Sequence, residues 1–118
     1  MEIKRTNPGS RYADAVCYNG TVYLVEVPCT EKANFAQQAQ EVLTSLENQL
    51  KAQESDKGHI LMATIYLTDM GHYDEFNRLW EAWLPTGCAP IRACLAVSQL
   101  ANKNWQIEIA LNAAVVAK

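Results

Sequence analysis

The chain has 118 residues, of which 49% are hydrophobic and 19% charged, and a formal net charge of −3. That length suits one domain, expected over 1–118, and the composition excludes the disordered and membrane-embedded classes. Ten basic residues, scattered and outnumbered by 13 acidic ones, form no stripe, so no nucleic-acid partner is expected.

The amino-terminal "MEIKRTNPGS" has no apolar core of the signal-peptide kind. No run approaches the roughly 18 apolar residues of a membrane span, so no membrane partner and a cytoplasmic location are expected. Four cysteines, Cys17, Cys29, Cys88 and Cys94, make no CxxC pair, which favours free thiols. His59 and His72 fall in no HxxxH or HExxH spacing, so no metal site is expected.

In chain order, a short strand around Ile3 and a turn at "NPGS" come first. Asn19-Gly20, between "ADAVCY" and "TVYLVEV", then predicts a type I′ hairpin, because both turn residues tolerate positive φ. The stretch "NFAQQAQEVLTSLENQLKAQ" follows, with Phe35, Ala39, Val42, Leu43, Leu46 and Leu50 at helical spacing. Asn34 with Gln37 three residues later reads as a capping-box-like start. The run "ILMATIYL" is β-rich and apolar on both faces, as suits a central strand. A second helix is predicted over residues 72–84, with Tyr73, Phe76, Trp80 and Trp83 as its inner stripe and Pro85 ending it. Strands over 91–97 and 106–113 close the order βββαβαββ. This is an α+β class, mostly antiparallel and hairpin-linked, with two helices on one sheet face.

In the last two strands, alternation puts Ile91, Ala93, Leu95 and Val97 in one row, and Ile107, Ile109 and Leu111 in another. Both rows are expected beneath the helices. The opposite face would carry Arg92, Cys94, Ala96 and Ser98 beside Gln106, Glu108, Ala110 and Asn112. It is too mixed for a monomer core and too small-residued for an ordinary solvated surface, which predicts association of like chains through sheet faces. Arg92 then has two readings: an edge-strand charge paired with a carboxylate, or an anion-binding fork at a cleft. Glu108 has two as well, a paired structural charge or a base that positions water. If the last two strands form a hairpin through "QLANKNW", Arg92 lies near Asn112. Glu108 is then four positions, roughly 13 Å, along the strand. One pocket holding both would need a neighbouring chain.

These residues also carry a resemblance. "APIRACLAVSQLANKNWQIEIALNAAV" resembles the carboxy-terminal signature of the reactive intermediate deaminase family, also called YjgF/RidA: Pro, one residue, Arg, a strand, a Leu-bearing loop, then Ile-Glu-Ile. "RYADAV", the Asn-Gly hairpin, "AQQAQEVL" and "ATIYLTDMGHYDEFN" fall in the same order. "RYADAV" and "WEAWLPTGCAPIR" are most similar to the YoaB-like branch. Membership implies a chorismate-mutase-like fold and a homotrimer with clefts between subunits. It further implies a cofactor-free hydrolase that converts enamine and imine intermediates, such as 2-aminoacrylate, to 2-keto acids and ammonia.

The same resemblance gives Arg92 the substrate carboxylate and makes Cys94 its strand neighbour near the imine. Glu108 becomes the acid that orients or activates water, and Tyr12 an aromatic wall from the adjoining subunit. The sequence departs from the family's third-strand Ser-Gly, where "YLVEVP" has Leu24, Val25 and Glu26, and from its Gly-Pro-Tyr, here Ser10-Arg11-Tyr12. A non-catalytic protein that senses a small carboxylate through the same cleft is the alternative function. An endoribonuclease is a third, disfavoured by the acidic balance.

Overall fold

The computed structural model describes residues 2–116. The first three strands, β1 (Lys4–Thr6), β2 (Ala15–Tyr18) and β3 (Thr21–Glu26), form an antiparallel meander. Between β2 and β3 the predicted turn is present: Asn19 and Gly20 have φ of 53° and 79°, the paired left-handed values of a type I′ hairpin.

Helix α1 spans Phe35–Ala52 and buries all six apolar positions of its predicted stripe. Its first turn is capped by Asn34, whose Oδ1 accepts from the Gln37 backbone N–H at 2.9 Å. The reciprocal half of a capping box is missing, because the Gln37 side chain donates to Glu41 instead, at 3.4 Å. Strand β4 (Ile60–Leu67) leads into α2 (Tyr73–Trp83), from which Phe76, Trp80 and Trp83 enter the core. Tyr73 departs from the predicted stripe; it is 39% exposed and lies over the next strand, as described below.

Strands β5 (Ile91–Ala96) and β6 (Ile107–Ala114) complete a six-stranded sheet in the order β1-β2-β3-β6-β4-β5. Both helices pack on one face, over Val22, Leu24, Ala63, Ile65, Ile107 and Ile109. All pairings are antiparallel except β4–β5, the parallel pair joined by α2. The α+β order and the single covered face are as the sequence predicts. β4 is an interior strand whose Ala63, Ile65 and Leu67 meet the core from alternate positions, joined by Ile60 on the other side of a register irregularity.

The final hairpin is not formed. β5 pairs with β4 and β6 enters between β3 and β4, so the last two strands are not neighbours. The 97–106 segment instead crosses the end of β4: Val97 N–H donates to Leu67 O at 2.8 Å and Thr68 N–H to Gln106 O at 3.2 Å. Gln38, fully buried in α1, pins this crossing. Its Nε2 donates to Ala33 O and Asn104 O, each at 3.1 Å, and its Oε1 accepts from Gln106 N–H at 2.8 Å.

The faces of β5 are also the reverse of the expected ones. Arg92 pairs with the buried Ala63 and Cys94 with the buried Ile65, so both lie on the helix side. Ile91, Ala93 and Leu95 point to the open side, where Ile91 is 73% exposed. Apart from Arg92, both rows of this strand are apolar or small. Alternation separates such rows but does not say which one the helices cover. In β6 the expected row, Ile107, Ile109 and Leu111, is buried beneath the helices.

Candidate functional site

The chemistry-bearing residues fall into two half-sites on opposite faces of the sheet. The first is at the β5 edge. Arg92 emerges beneath the start of α2, with its guanidinium carbon 5.7 Å from the Tyr73 ring centroid and 6.0 Å from that of Phe76. Its Nη2 donates to the Tyr73 hydroxyl at 3.3 Å. No carboxylate pairs with it among the described residues. The rings hold the cation by their negative faces and leave most of its donors unused. Cys94, two positions along on the same side, is half-buried against the core. Burial pushes its thiol pKa up, an effect that the nearby Arg92 charge opposes without cancelling.

The second half-site lies on the open face. Glu108 projects there because its neighbours Ile107 and Ile109 are both in the core. It lines a groove of about 890 Å³ together with Tyr12, Tyr23, Val25, Met62, Thr64 and Asn112, among others. Partial burial among these side chains raises the Glu108 carboxyl pKa. Tyr12 stands at the groove's rim, 78% exposed.

The two halves do not meet within one chain. Through their partners on β4, Arg92 is level with Ala63 and Glu108 with Tyr66. The offset is therefore three residues, roughly 10 Å at strand rise, across two strand spacings and through the sheet. The expected four-position offset assumed a hairpin that does not exist, and the true separation is the more complete one.

Residues 2–115 match the family described as Endoribonuclease L-PSP. The chain is 40% identical over 114 residues to a RutC family protein of Haemophilus ducreyi, covering 96% of this chain and 97% of that one. It is 36% identical over 115 residues to the RutC family protein YoaB of Escherichia coli, covering 98% and 100%. Among solved structures, NMB1025 of Neisseria meningitidis, a member of the YjgF protein family, superposes with a TM-score of 0.93 at 38% identity and covers 100% of this chain and 98% of that one. A putative translation initiation inhibitor of Salmonella typhimurium superposes with a TM-score of 0.89 at 34% identity, covering 98% and 99%. The chain belongs to the YjgF/Rid family. The chorismate-mutase-like fold implied by the sequence resemblance is the fold it has.

The third-strand positions where the resemblance expects Ser-Gly hold larger side chains, each with a definite place. Leu24 is buried in the core, and Val25 takes an exposed place on the groove wall. Glu26 shares the parity of Val22 and Leu24 and accepts from Gln49. Burial raises its pKa, the negative charge of Asp14 adds to the rise, and the Gln49 hydrogen bond opposes it. Glu26 thus binds its proton more tightly folded than unfolded. That contribution to stability is complete below the ordinary carboxylate range and is lost as pH rises through the elevated value. Glu26→Gln is accordingly expected to melt higher than wild type at pH 8, with the gap closing at pH 4. Thermal melts at the two pH values measure it.

The helical period assigns Tyr73 to the core stripe and strand alternation assigns Asn112 to the open face, while neither pattern singles out Asn77. Tyr73 contacts the arginine, and the buried Oδ1 atoms of Asn77 and Asn112 accept no hydrogen bond from described residues. Spacing gave a hint only for Asn77, one helical turn beyond Tyr73.

Proposed function

We propose that this Rid-family protein hydrolyses reactive 2-imino acids and their enamine tautomers to 2-keto acids and ammonia, in clefts where protomers of a homotrimer meet. The observation that carries the reading is Arg92: a guanidinium seated on two aromatic rings, with no carboxylate paired to it among the described residues. Its planar fork suits the carboxylate of a small organic acid. Glu108 supports it from the other side of the sheet, as a half-buried carboxylate whose elevated pKa brings it nearer the range of a useful general base. The open face, with Tyr23, Val25, Met62, Ile91 and Leu95 exposed, offers apolar surface for association that brings one protomer's Glu108 and Tyr12 toward its neighbour's Arg92.

In this mechanism Arg92 fixes the substrate carboxylate and Glu108 takes a proton from water as the oxygen bonds to the imine carbon. The nitrogen is protonated in the resulting carbinolamine. Cleavage of the C–N bond then releases ammonia and forms the keto group, so one water is consumed for each imine. The imine is already electrophilic, and holding water and substrate together supplies much of the acceleration. Cys94 is a packing neighbour here. Its raised pKa keeps it a thiol at neutral pH, which is unsuited to nucleophilic attack. Cys94→Ala is expected to keep kcat within about threefold of wild type, with iodoacetamide leaving turnover intact.

The direct test generates 2-iminobutanoate or 2-iminopropanoate in situ and follows its disappearance. Arg92→Ala is expected to lower kcat/KM about thirtyfold, the loss of a charge-assisted contact of about 2 kcal/mol. An unchanged rate would remove the anchor and with it the reading.

A second reading, a carboxylate-binding sensor without turnover, is favoured by Leu24 and Val25, which put a buried and a groove-wall aliphatic side chain where the resemblance expects Ser-Gly. Carboxylate binding with no acceleration for any imino acid would establish it. Nuclease action, which the family's description names, has little support here. Among the described residues no Lys or Arg lines the groove, and three carboxylates, Asp14, Glu26 and Glu108, do.

A further inference from the structure

The Tyr73 hydroxyl is a polar group that the roles described so far do not use. Tyr73 opens α2, is 39% exposed, and presents its ring to the Arg92 guanidinium. At 3.3 Å the hydroxyl oxygen accepts from Arg92 Nη2. A hydroxyl engaged through a lone pair keeps its own hydrogen free to donate. No acceptor takes that hydrogen among the described residues. An O–H and the unused N–H groups of the guanidinium therefore sit side by side at the β5 edge, all of them donors.

We propose that Tyr73 is a second anchor for the substrate carboxylate, donating its phenolic O–H to one carboxylate oxygen while Arg92 holds the group through its N–H donors. The inference rests on the reading of Arg92 as the carboxylate anchor, and it adds a ligand to that site. Two physical features support it. The hydrogen bond that the Tyr73 oxygen accepts from Arg92 orients the phenol, so the O–H is aimed before a ligand arrives, and preorganisation limits the entropy lost on binding. A hydrogen bond to a charged acceptor is also stronger than one between neutral groups. The contact is to a carboxylate that does not change through the reaction. It therefore holds ground state and transition state alike, and affects KM while leaving kcat alone.

Tyr73→Phe isolates the hydroxyl, because the ring that supports Arg92 remains. Two measurements are made on the full-length protein: steady-state hydrolysis of 2-iminobutanoate, and calorimetric binding of 2-oxobutanoate, the corresponding keto-acid product. Sedimentation of both proteins checks that assembly is the same. The expected result is a rise of about five- to tenfold in both KM and the 2-oxobutanoate Kd, with kcat unchanged. An unaltered Kd, or a fall in kcat at constant KM, overturns the role of the hydroxyl while leaving the Arg92 reading intact. Failure of the wild-type protein to bind 2-oxobutanoate, with no further loss in Arg92→Ala, overturns both.

Discussion

Glu108→Gln is expected to lower kcat about a hundredfold with little change in KM, the usual contribution of a positioned general base. The side chain keeps its size and hydrogen-bonding reach, so folding and groove shape are preserved and only proton acceptance is lost. The pH profile sharpens the test. A base must be ionised to act, so wild-type activity should fall as pH drops through the Glu108 pKa. Burial places that limb above the ordinary carboxylate value. In Glu108→Gln the limb should vanish. A limb that persists unchanged assigns the titration to another group and removes Glu108 from the chemistry.

The separation of Arg92 and Glu108 through the sheet makes the same variant informative about assembly. If each cleft takes its arginine from one protomer and its carboxylate from the next, Arg92→Ala and Glu108→Gln are complementary defects. Unfolding and refolding an equal mixture should restore activity in about a quarter of the clefts, since each cyclic interface then pairs an intact arginine with an intact glutamate at that frequency. A site contained within one protomer would restore none.

Gln38→Leu is expected to lower stability by about 3 kcal/mol, a fall of roughly 12 °C in melting temperature for a chain of this size. The replacement fits the apolar surroundings, but it leaves the Asn104 and Ala33 carbonyls and the Gln106 N–H without the partners they now have. The damage should be local first. Amide exchange at Gln106 is expected to speed up more than exchange in α1, because the crossing over β4 loses its pin. A melting temperature within 2 °C of wild type would show that water replaces these bonds at little cost.

The elements that were legible in the sequence are those decided by short-range physics. The α1 stripe is read from a 3.6-residue period, the β2–β3 turn from two residues that tolerate positive φ, and the row of β6 from strict alternation beside buried partners. Arg92 stood out because a guanidinium inside an apolar strand is costly without a purpose, and Glu108 because it interrupts a run of isoleucines. Both stand where a ligand or another chain has access.

What stayed hidden depends on which strand lies beside which. The hairpin reading of β5 and β6 followed from their closeness in sequence, and it put Arg92 on the wrong face. The parallel crossover through α2 carries β5 to the far side of β4 and leaves the space between β3 and β4 for β6. Tyr73 likewise fits a core stripe by period alone. Only the position of β5 beneath the start of α2 turns its hydroxyl toward Arg92. Sequence by itself determined the helices, the strands and the two charged residues, because each depends on neighbours along the chain. The tertiary structure decided that those charges face opposite ways, since strand order is set by burying both helices on one face and no local pattern encodes it.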